Sequence, residues 1–370
     1  MENNTHPDID YSNKAILAPM VRIGTLPMRL LALEYGADLV WSEELVDKRI
    51  IGSERRYNPA TGAIEYWKGK SLTFSTTEAE KGKVILQLGT ADADLALKAA
   101  LTLKQDVAAV DVNCGCPKKF SVQGGMGAAL LSNPDNLKRI LTNLVQKAGM
   151  PVTCKIRLLD TIEKTKELVK MIVQTGVKAL TVHCRRKEQR STEKANWEAL
   201  REIVDVVKSI ADIPVIVNGD VFQYSDIQKA KEVTHADSVM IARGAQWNAS
   251  AFRKEGLLPF QTVVKEYLKK AVQLDNLYQN TKYVILSMNT EDTKHTKSQL
   301  YSNIQQAKTM RALCELFNLA DFYDETVAKQ KAKLVDNDKQ QITEDGKRNR
   351  EESEVVTTEE ATVKKLKADE

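Results

Sequence analysis

The chain has 370 residues, of which 42% are hydrophobic and 28% charged, and its formal net charge at neutral pH is +4. This balance excludes a wholly disordered chain, because such chains have too few apolar residues to form a core. The longest apolar runs fall well short of the roughly 20 residues that cross a bilayer, so we expect no membrane partner. The small positive charge permits a polyanionic partner without requiring one.

The cysteine pattern argues against a disulfide framework and against a zinc site. There are five cysteines, an odd number, and none of them forms a C-x-x-C pair. The first ten residues are polar and lack the features of a signal or transit peptide. We therefore expect a reducing compartment, the cytoplasm, and we also consider the nucleus because residues 364–367 form a short basic run typical of nuclear-import signals.

Eight short runs of aliphatic and β-branched residues recur between residues 14 and 243. Near-continuous apolar runs of this length are typical of strands that are buried on both faces of a parallel sheet. The runs are residues 15–18, 39–42, 84–88, 108–112, 152–156, 179–182, 215–217 and 238–242.

Stretches with helical periodicity separate most of these runs. They are residues 26–35, 91–103, 133–145, 161–174, 197–210 and 224–232. Eight strands that alternate with helices predict a (β/α)₈ TIM barrel, whose usual size is about 250 residues. The exception is the polar span 47–82, for which we predict a helix followed by a long excursion that carries several aromatic residues.

The character of the chain changes twice after the barrel. From residue 257 the strand signal disappears, and four amphipathic stretches predict helices at residues 263–274, 278–288, 300–313 and 320–328. From residue 331 there are no aromatic residues and the charge is dense, which predicts disorder. The predicted organisation is a flexible N-terminus (1–12), an α/β TIM barrel (13–256), a small all-α domain (257–330) and a disordered charged C-terminal tail (331–370).

The strand list predicts where the active site lies, because TIM-barrel active sites form at the carboxyl ends of the strands. A polar, flexible or unusual group follows each of the eight runs. These groups are Pro19 and Met20, Glu43 and Glu44, Gln87, residues 113–117, Lys155 and Arg157, His183 and Arg185, residues 218–220, and residues 242–244. An active site across the barrel mouth explains all eight together.

Three cationic positions indicate the kind of ligand. Glycines after the last two strands and the guanidinium of Arg243 favour a phosphate pocket over two ordinary turns. Lys155 would be poorly solvated in the barrel mouth, which a partner that becomes anionic, such as a reduced flavin, would explain; the alternative is a salt bridge to Asp111 or Glu43. His183 can bind a flavin edge or a phosphate, or it is a core histidine.

Residues 113–117, with the sequence Asn-Cys-Gly-Cys-Pro, form the most specific motif. Two cysteines one residue apart cannot easily chelate one metal ion. The lysines that follow and the glycine-rich stretch 124–127 predict an exposed, mobile loop. A thiol on such a loop is placed for acid–base or nucleophilic catalysis, so Cys116 is the catalytic candidate, whereas Cys114 lies nearer the strand and is expected to pack.

The motifs taken together resemble the tRNA-dihydrouridine synthase family. They lie in order at residues 18–21, 42–43, 87–89, 111–117, 124–127, 154–157, 182–183, 218–220 and 242–244. The resemblance extends from about residue 16 to 323, and other barrel flavoenzymes do not share the Asn-x-Gly-Cys-Pro element. Residues 21–29 and 246–248 resemble the eukaryotic branch that reduces uridine 20 of the tRNA D-loop.

This resemblance implies a reaction. Reduced nicotinamide, NADPH or NADH, delivers hydride to FMN and leaves, and tRNA then binds through its D-arm. The target uridine must leave the stacked loop, because its C5=C6 edge is otherwise inaccessible. Flavin N5 gives hydride to C6, and Cys116 protonates C5 as the general acid, a role that suits a thiol whose pKa lies near the operating pH.

The resemblance also implies roles for the residues at the strand ends. The expected cofactor-binding residues are Pro19, Met20, Gln87, Lys155, His183, Asn218, Gly219, Asp220, Ala242 and Arg243. The expected uracil-facing residues are Glu43, Asn113 and Arg185. We expect a monomer without a metal ion.

We expect the barrel rim and the helical domain to bind tRNA. Basic residues interleaved with aromatic ones suit a phosphate backbone and unstacked bases. The candidates are Lys265, Lys269, Lys270, Lys282, Lys294, Lys308 and Arg311, with Tyr267, Tyr278 and Tyr283. Solvated helix faces with core tyrosines are the alternative interpretation.

Two other functions fit parts of the sequence. A barrel flavin oxidoreductase that acts on a free pyrimidine would need neither the helical domain nor a basic rim. A tRNA-binding protein with a vestigial flavin pocket would not need Cys116, Lys155 and His183, all of which are present. The leading hypothesis is therefore FMN-dependent reduction of a tRNA uridine.

Overall fold

A computed structural model of the chain describes residues 6–289 and 292–337. The described residues include eleven strands. They are β1 (Ala15–Leu17), β2 (Leu39–Val46), β3 (Glu54–Asn58), β4 (Ala63–Lys68), β5 (Ser71–Thr76), β6 (Val84–Gly89), β7 (Ala109–Cys114), β8 (Val152–Leu158), β9 (Ala179–Arg186), β10 (Val215–Asn218) and β11 (Ser238–Ile241).

Eight of these strands form a closed parallel barrel in the order β1–β2–β6–β7–β8–β9–β10–β11. Strand β1 closes the barrel by pairing with β11, where Leu17 lies opposite Ile241. Strands β6, β7, β10 and β11 are buried along their whole length, which explains why they appear in the sequence as near-continuous apolar runs. The predicted TIM barrel is confirmed, and each of the eight predicted runs forms one of its strands.

Helices follow the strands around the barrel. They are α1 (Leu26–Glu34), α2 (Asp47–Ile50), α3 (Ala93–Leu103), α4 (Lys119–Gln123), α5 (Pro134–Lys147), α6 (Ile162–Gln174), α7 (Trp197–Ile210), α8 (Ser225–Thr234) and α9 (Arg243–Trp247). Side-chain caps set where several begin: Asp92, Asn133, Thr161 and Asn196 each accept a backbone N–H from the first turn of α3, α5, α6 or α7. All six predicted barrel helices are present.

The amino-terminal opening of the barrel is covered by the segment before β1. Tyr11 is 1% exposed and its ring centre lies 6.5 Å from that of Trp41. Ser238 Oγ donates a hydrogen bond to the Tyr11 carbonyl. The aromatic side chain of Tyr11 thus fills the open end of the cylinder, within the segment 1–12 that is expected to be flexible; residues 1–5 lie outside the described part.

The excursion between β2 and β6 holds a structure that the sequence analysis did not predict. Strands β3, β4 and β5 form a separate antiparallel sheet in that order. A buried ion pair joins this region to α1: Arg29 Nη2 lies 2.6 Å from Glu80 Oε1, and the two side chains are 2% and 0% exposed. Arg29 also donates to the carbonyls of Ser75 and Gly24. One guanidinium thus links the small sheet, α1 and the loop after β1.

The chain after the barrel is helical, as predicted. Its helices are α10 (Phe260–Gln273), α11 (Tyr278–Ser287), α12 (Thr293–Thr296), α13 (Gln299–Gln306), α14 (Met310–Glu315) and α15 (320–337). The single helix predicted at 300–313 is two helices, because Thr309 caps α14 by accepting the N–H of Ala312. Over the described ranges, no helix is both long and apolar enough to cross a membrane.

Helix α15 runs past the boundary at residue 331 where the composition places the start of the tail. Residues 331–336 are exposed, so this part of the helix buries almost nothing. Its alanine, lysine and leucine residues have high intrinsic helix propensity, which accounts for a helix without a packed face. The rest of the predicted tail, including the basic run 364–367, lies outside the described residues.

Candidate active site

The strand register brings the predicted site residues to one end of the barrel. Gln87 lies opposite Asp111, and Asn113 lies opposite Lys155. On the far side of β8, Arg157 lies opposite His183. Pro19 and Met20, which follow β1, are both half-buried. The predicted positions therefore form a ring at the carboxyl ends of the strands.

A chain of hydrogen bonds runs from the barrel interior to the cysteine loop. The Asp111 carboxylate is fully buried and accepts from Gln87 Nε2 at 2.8 Å and from Thr153 Oγ1 at 2.7 Å. Burial raises the pKa of Asp111 to about 6. Gln87 Oε1 accepts from Asn113 Nδ2 at 3.2 Å, and Asn113 Oδ1 accepts the backbone N–H of Cys116 at 3.1 Å. Asn113 thus orients the start of the loop that carries the thiol.

Lys155 is a half-buried cation without a close counter-ion. Among the described residues, no carboxylate lies within 4.0 Å of its ammonium, so the alternative of a salt bridge to Asp111 or Glu43 is not found at that distance. Burial and the nearby Arg157 lower the pKa of Lys155 to about 8. Burial and the same cations lower the pKa of His183 far below its usual range, so its imidazole is neutral at physiological pH.

The ends of β9, β10 and β11 enclose a cavity of about 160 Å³. It is lined by the predicted residues His183, Asn218, Gly219, Asp220, Ala242 and Arg243, together with Arg157 and Arg185. Gly219 has φ +117°, and a Cβ there would lie 3.2 Å from His183 Cδ2. Glycine at this position therefore leaves room for the cavity. Close backbone approach combined with several cations suits an anionic ligand such as a phosphate.

Asp220 organises the cations of this cavity. Arg243 Nη2 lies 2.6 Å from Asp220 Oδ1, and Arg185 pairs with the same oxygen. Although burial acts in the opposite direction, hydrogen bonds from Arg185 and from the N–H of Ala195 hold the pKa of Asp220 below its usual value. Arg185 also donates to the carbonyl of Glu193. The structure thus places Arg185, predicted to face uracil, among the residues of the small cavity.

A second, larger cavity of about 570 Å³ opens beside Glu43. It lies between the barrel mouth, the β3–β5 sheet and the helical domain. Its lining includes Arg22, Glu43, Arg49, Trp67, Lys70 and Asn280. This volume is in the range of ligand-binding clefts, and its polar and aromatic lining suits a nucleotide.

The helical domain holds the loop that contacts Glu43. Glu43 Oε2 accepts the backbone N–H of Arg22 at 3.1 Å, and burial raises the pKa of this carboxyl. Arg22 has φ +68°, its carbonyl accepts from Asn280 Nδ2 at 2.7 Å, and its guanidinium lies 3.7 Å from the Tyr283 ring centre. Sequence reasoning missed Asn280, because its partner is 258 positions away and no local pattern marks it.

The cysteine loop brings together a thiol and a second carboxyl. Cys114 is fully buried, in agreement with its predicted packing role, whereas Cys116 is half-buried. Glu44 is 8% exposed and its Oε1 lies 3.4 Å from Ser121 Oγ. Burial raises the pKa of Cys116, and the Glu44 carboxylate raises it further. The strand-end list contains Glu44 without a role, and the contribution of Ser121 was missed altogether.

The predicted tRNA-facing residues of the helical domain differ in burial and in their partners. Tyr267 on α10 is fully buried, so for this candidate the alternative interpretation of a core tyrosine holds, and it does not face tRNA. Lys269, Lys270 and Arg311 form ion pairs with Glu266, Glu34 and Asp324. Lys282 donates to the carbonyls of Gln305 and Ala307. In the part of the chain that is described, Lys265, Lys294 and Lys308 have no carboxylate within 4.0 Å, so these three cations remain available for phosphate.

The chain is similar to a set of RNA-modifying enzymes. The family model of dihydrouridine synthase (Dus) matches residues 16–345. The chain is 46% identical over 320 residues to the tRNA-dihydrouridine(20) synthase (NAD(P)+) of Schizosaccharomyces pombe, which covers 84% of this chain and 66% of that protein. It is 38% identical over 297 residues to the corresponding Saccharomyces cerevisiae protein, with coverages of 75% and 77%. The resemblance predicted from the motifs is confirmed.

A more distant relative helps to define the branch. The chain is 31% identical over 239 residues to the tRNA-dihydrouridine(20a/20b) synthase (NAD(P)+) of Schizosaccharomyces pombe, with coverages of 64% and 68%. The chain spans about two thirds of the first relative's length. Identity is therefore higher with the position-20 enzymes than with this position-20a/20b enzyme.

Proposed function

Because the chain belongs to the dihydrouridine synthase family, we propose that it reduces the C5=C6 bond of a tRNA uridine, at position 20 of the D-loop. The relatives at 46% and 38% identity carry both this activity and NAD(P)+ in their names, which supports NADPH or NADH as the electron donor. The observation that carries the proposal is the half-buried Cys116 thiol, which Asn113 holds at the mouth of the barrel.

The residues at the strand ends fit a flavin, and we propose FMN. The small cavity with Gly219 and Arg243 fits the phosphate, and the cation of Lys155 lacks a close counter-ion among the residues described. When bound, the flavin supplies the hydride. Lys155, with a pKa of about 8, is mostly cationic at neutral pH and stabilises negative charge beside it. His183 Nε2 accepts from Arg185 Nη1 at 3.3 Å, so the neutral imidazole carries its proton on Nδ1 and can donate one hydrogen bond from there.

The chain's own residues then position the base and supply the proton. The carboxyl of Glu43 borders the large cavity, where it can accept a hydrogen bond from the N3–H of uracil. Asn113 fixes the start of the cysteine loop by accepting the backbone N–H of Cys116. Cys116, whose raised pKa keeps it a thiol at neutral pH, gives its proton to C5.

The large cavity favours tRNA over a free pyrimidine as the substrate. It is walled by the β3–β5 sheet and by the helical domain, neither of which a barrel needs to bind a single base. Arg22, Arg49 and Lys70 line it and can contact phosphates on either side of a flipped uridine. We therefore expect the nucleotides that flank the target to contribute to binding.

The test compares tRNA with free uridine as substrates of the flavin-loaded protein. With NADPH and an unmodified tRNA transcript, we expect dihydrouridine at position 20, detected by mass spectrometry, and no detectable reduction of free uridine. The Cys116→Ala variant is the matched control: its rate should fall by about 10²- to 10⁴-fold, the usual contribution of a general acid, with the flavin absorbance retained. Equal rates on both substrates, or a fully active alanine variant, would contradict the proposal.

A further inference from the structure

Two adjacent glutamates at the end of β2 face different parts of the site. Glu43 borders the large cavity, whereas Glu44 lies against the cysteine loop. The register of β2 against β6 shifts between Trp41 and Glu44, so Glu44 lies opposite Gln87. Burying a carboxyl costs free energy unless hydrogen bonds or charges compensate for it. The groups around Glu44 therefore indicate what this residue does.

Two glycines leave space for the Glu44 side chain beside the cysteine loop. Glu44 Oε1 accepts a hydrogen bond from the hydroxyl of the fully buried Ser121 at 3.4 Å, and the Glu44 charge acts on the nearby Cys116 thiol. A Cβ at Gly127 would lie 2.4 Å from Ser121 Oγ and 3.1 Å from Cys116 Cβ. A Cβ at Gly89 would lie 2.7 Å from Glu44 Oε1. Two glycines therefore leave the space in which the carboxyl, the hydroxyl and the thiol meet.

Cations act on the same thiol from the neighbouring strand. Lys155 and Arg157 of β8 both interact electrostatically with Cys116. A Cβ at Gly115 would lie 3.2 Å from Arg157 Cγ, so the Arg157 side chain packs against the cysteine loop. These cations and the backbone N–H of Lys118 favour the thiolate. A thiolate cannot donate a proton. Burial and Glu44 oppose the cations, and the resulting pKa of Cys116 is raised.

We propose that Glu44 is a positioning residue that keeps the Cys116 thiol protonated beside the cations, so that it can act as the proton donor. This inference rests on the proposed function. In that step the S–H bond of Cys116 breaks, its electron pair stays on sulfur, and the proton forms the new C–H bond at C5. A proton from solvent then restores the thiol.

Alkylation of Cys116 tests the proposal without substrate. The full chain with its flavin is treated with iodoacetamide at a series of pH values, and modification of the Cys116 peptide is followed by mass spectrometry. We expect Glu44→Gln to move the midpoint about one pH unit lower, which makes alkylation near pH 7.5 about tenfold faster. Glu43→Gln is the matched control, because Glu43 borders the large cavity and not the cysteine loop, and it should leave the alkylation midpoint unchanged.

A second variant perturbs Glu44 without replacing it. In Gly89→Ala the new methyl group would lie 2.7 Å from Glu44 Oε1, so the carboxylate must shift, and we expect the alkylation midpoint to differ from that of the unmodified chain. Midpoints equal to that of the unmodified chain in both Glu44→Gln and Gly89→Ala would overturn the proposal. Folding of each variant is checked by its thermal unfolding and flavin absorbance.

Turnover separates this inference from the proposed function. If Cys116 must be protonated to react, the alkaline limb of the dihydrouridine rate profile moves to lower pH in Glu44→Gln by the same amount as the alkylation midpoint. An alkylation shift without a shift of this limb would overturn the link between Glu44 and proton donation. If the chain reduces no tRNA, the proposed function is wrong. The alkylation experiment would still show whether Glu44 controls the protonation of Cys116.

Discussion

The two cavities of the barrel mouth are built in different ways. The small cavity at the ends of β9–β11 comes from consecutive strands, and its Arg185, Asp220 and Arg243 already form a connected ion-pair network. The large cavity beside Glu43 is assembled from three parts of the chain: the loop after β1, the β3–β5 sheet and the helical domain. Strand register sets the first, whereas contacts between separate elements set the second.

This difference suits the two cavities to different ligands, a bound cofactor in the small cavity and a substrate in the large one. A network of paired charges is rigid and keeps its shape without a ligand, which suits a permanently bound cofactor. A cavity whose walls come from different elements changes when any one of them moves, which suits a substrate that must enter and leave. The large cavity should therefore be the more sensitive of the two to substitutions far from the chemistry.

The largest effect is expected at the ion pair that supports the wall of the large cavity. In Arg29→Met the carboxylate of Glu80 remains buried without its partner, which should lower the free energy of unfolding by about 3–5 kcal/mol. The β3–β5 sheet also loses the hydrogen bond to the Ser75 carbonyl. Urea-induced unfolding followed by circular dichroism measures the loss.

The matched control for this prediction is an exposed pair. Arg311 and Asp324 lie 2.9 Å apart, but their side chains are 48% and 50% exposed. Arg311→Met should therefore change the free energy of unfolding by about 1 kcal/mol or less. If Arg29→Met had an equally small effect, the buried pair would not be what holds the small sheet to α1.

A smaller effect is expected at the small cavity. Arg243→Ala removes one charged hydrogen-bond donor from the proposed phosphate site, which should weaken flavin binding by about 1.5–3 kcal/mol, or roughly 10- to 150-fold. The rate at saturating flavin should stay within a few-fold of the unmodified chain. Flavin titration followed by fluorescence measures the affinity, and Arg201→Ala on the exposed face of α7 is the control. Unchanged affinity would show that Arg243 serves only to pair Asp220.

The same contrast explains what could be predicted from the sequence. Lys155, His183 and Arg243 were identified because each follows a recognisable apolar run, and a parallel barrel brings all strand ends together. The β3–β5 sheet was missed because its first strand is almost entirely exposed and polar, so it lacks the apolar alternation by which strands are recognised. The role of Glu44 depends on a register shift in β2, which no short-range pattern specifies.

The smallest effect, and the sharpest test of how the large cavity is assembled, is expected at Asn280. Asn280→Ala removes the hydrogen bond to the Arg22 carbonyl, so the left-handed backbone at Arg22 is no longer held with its N–H toward Glu43. A loss of about 0.5–1.5 kcal/mol should raise the KM for tRNA by roughly 2- to 10-fold and leave flavin affinity unchanged.

A double-mutant cycle identifies whether this effect passes through Glu43. If Asn280 acts by holding the N–H of Arg22 toward the carboxylate, the effects of Asn280→Ala and Glu43→Ala on the KM for tRNA are not additive, because the first releases the donor and the second removes the acceptor of the same hydrogen bond. Gln279→Ala, at the exposed neighbouring position of α11, should leave KM unchanged. Strict additivity of the first two substitutions would show that the helical domain binds tRNA without orienting Glu43, and the two walls of the cavity would then act independently.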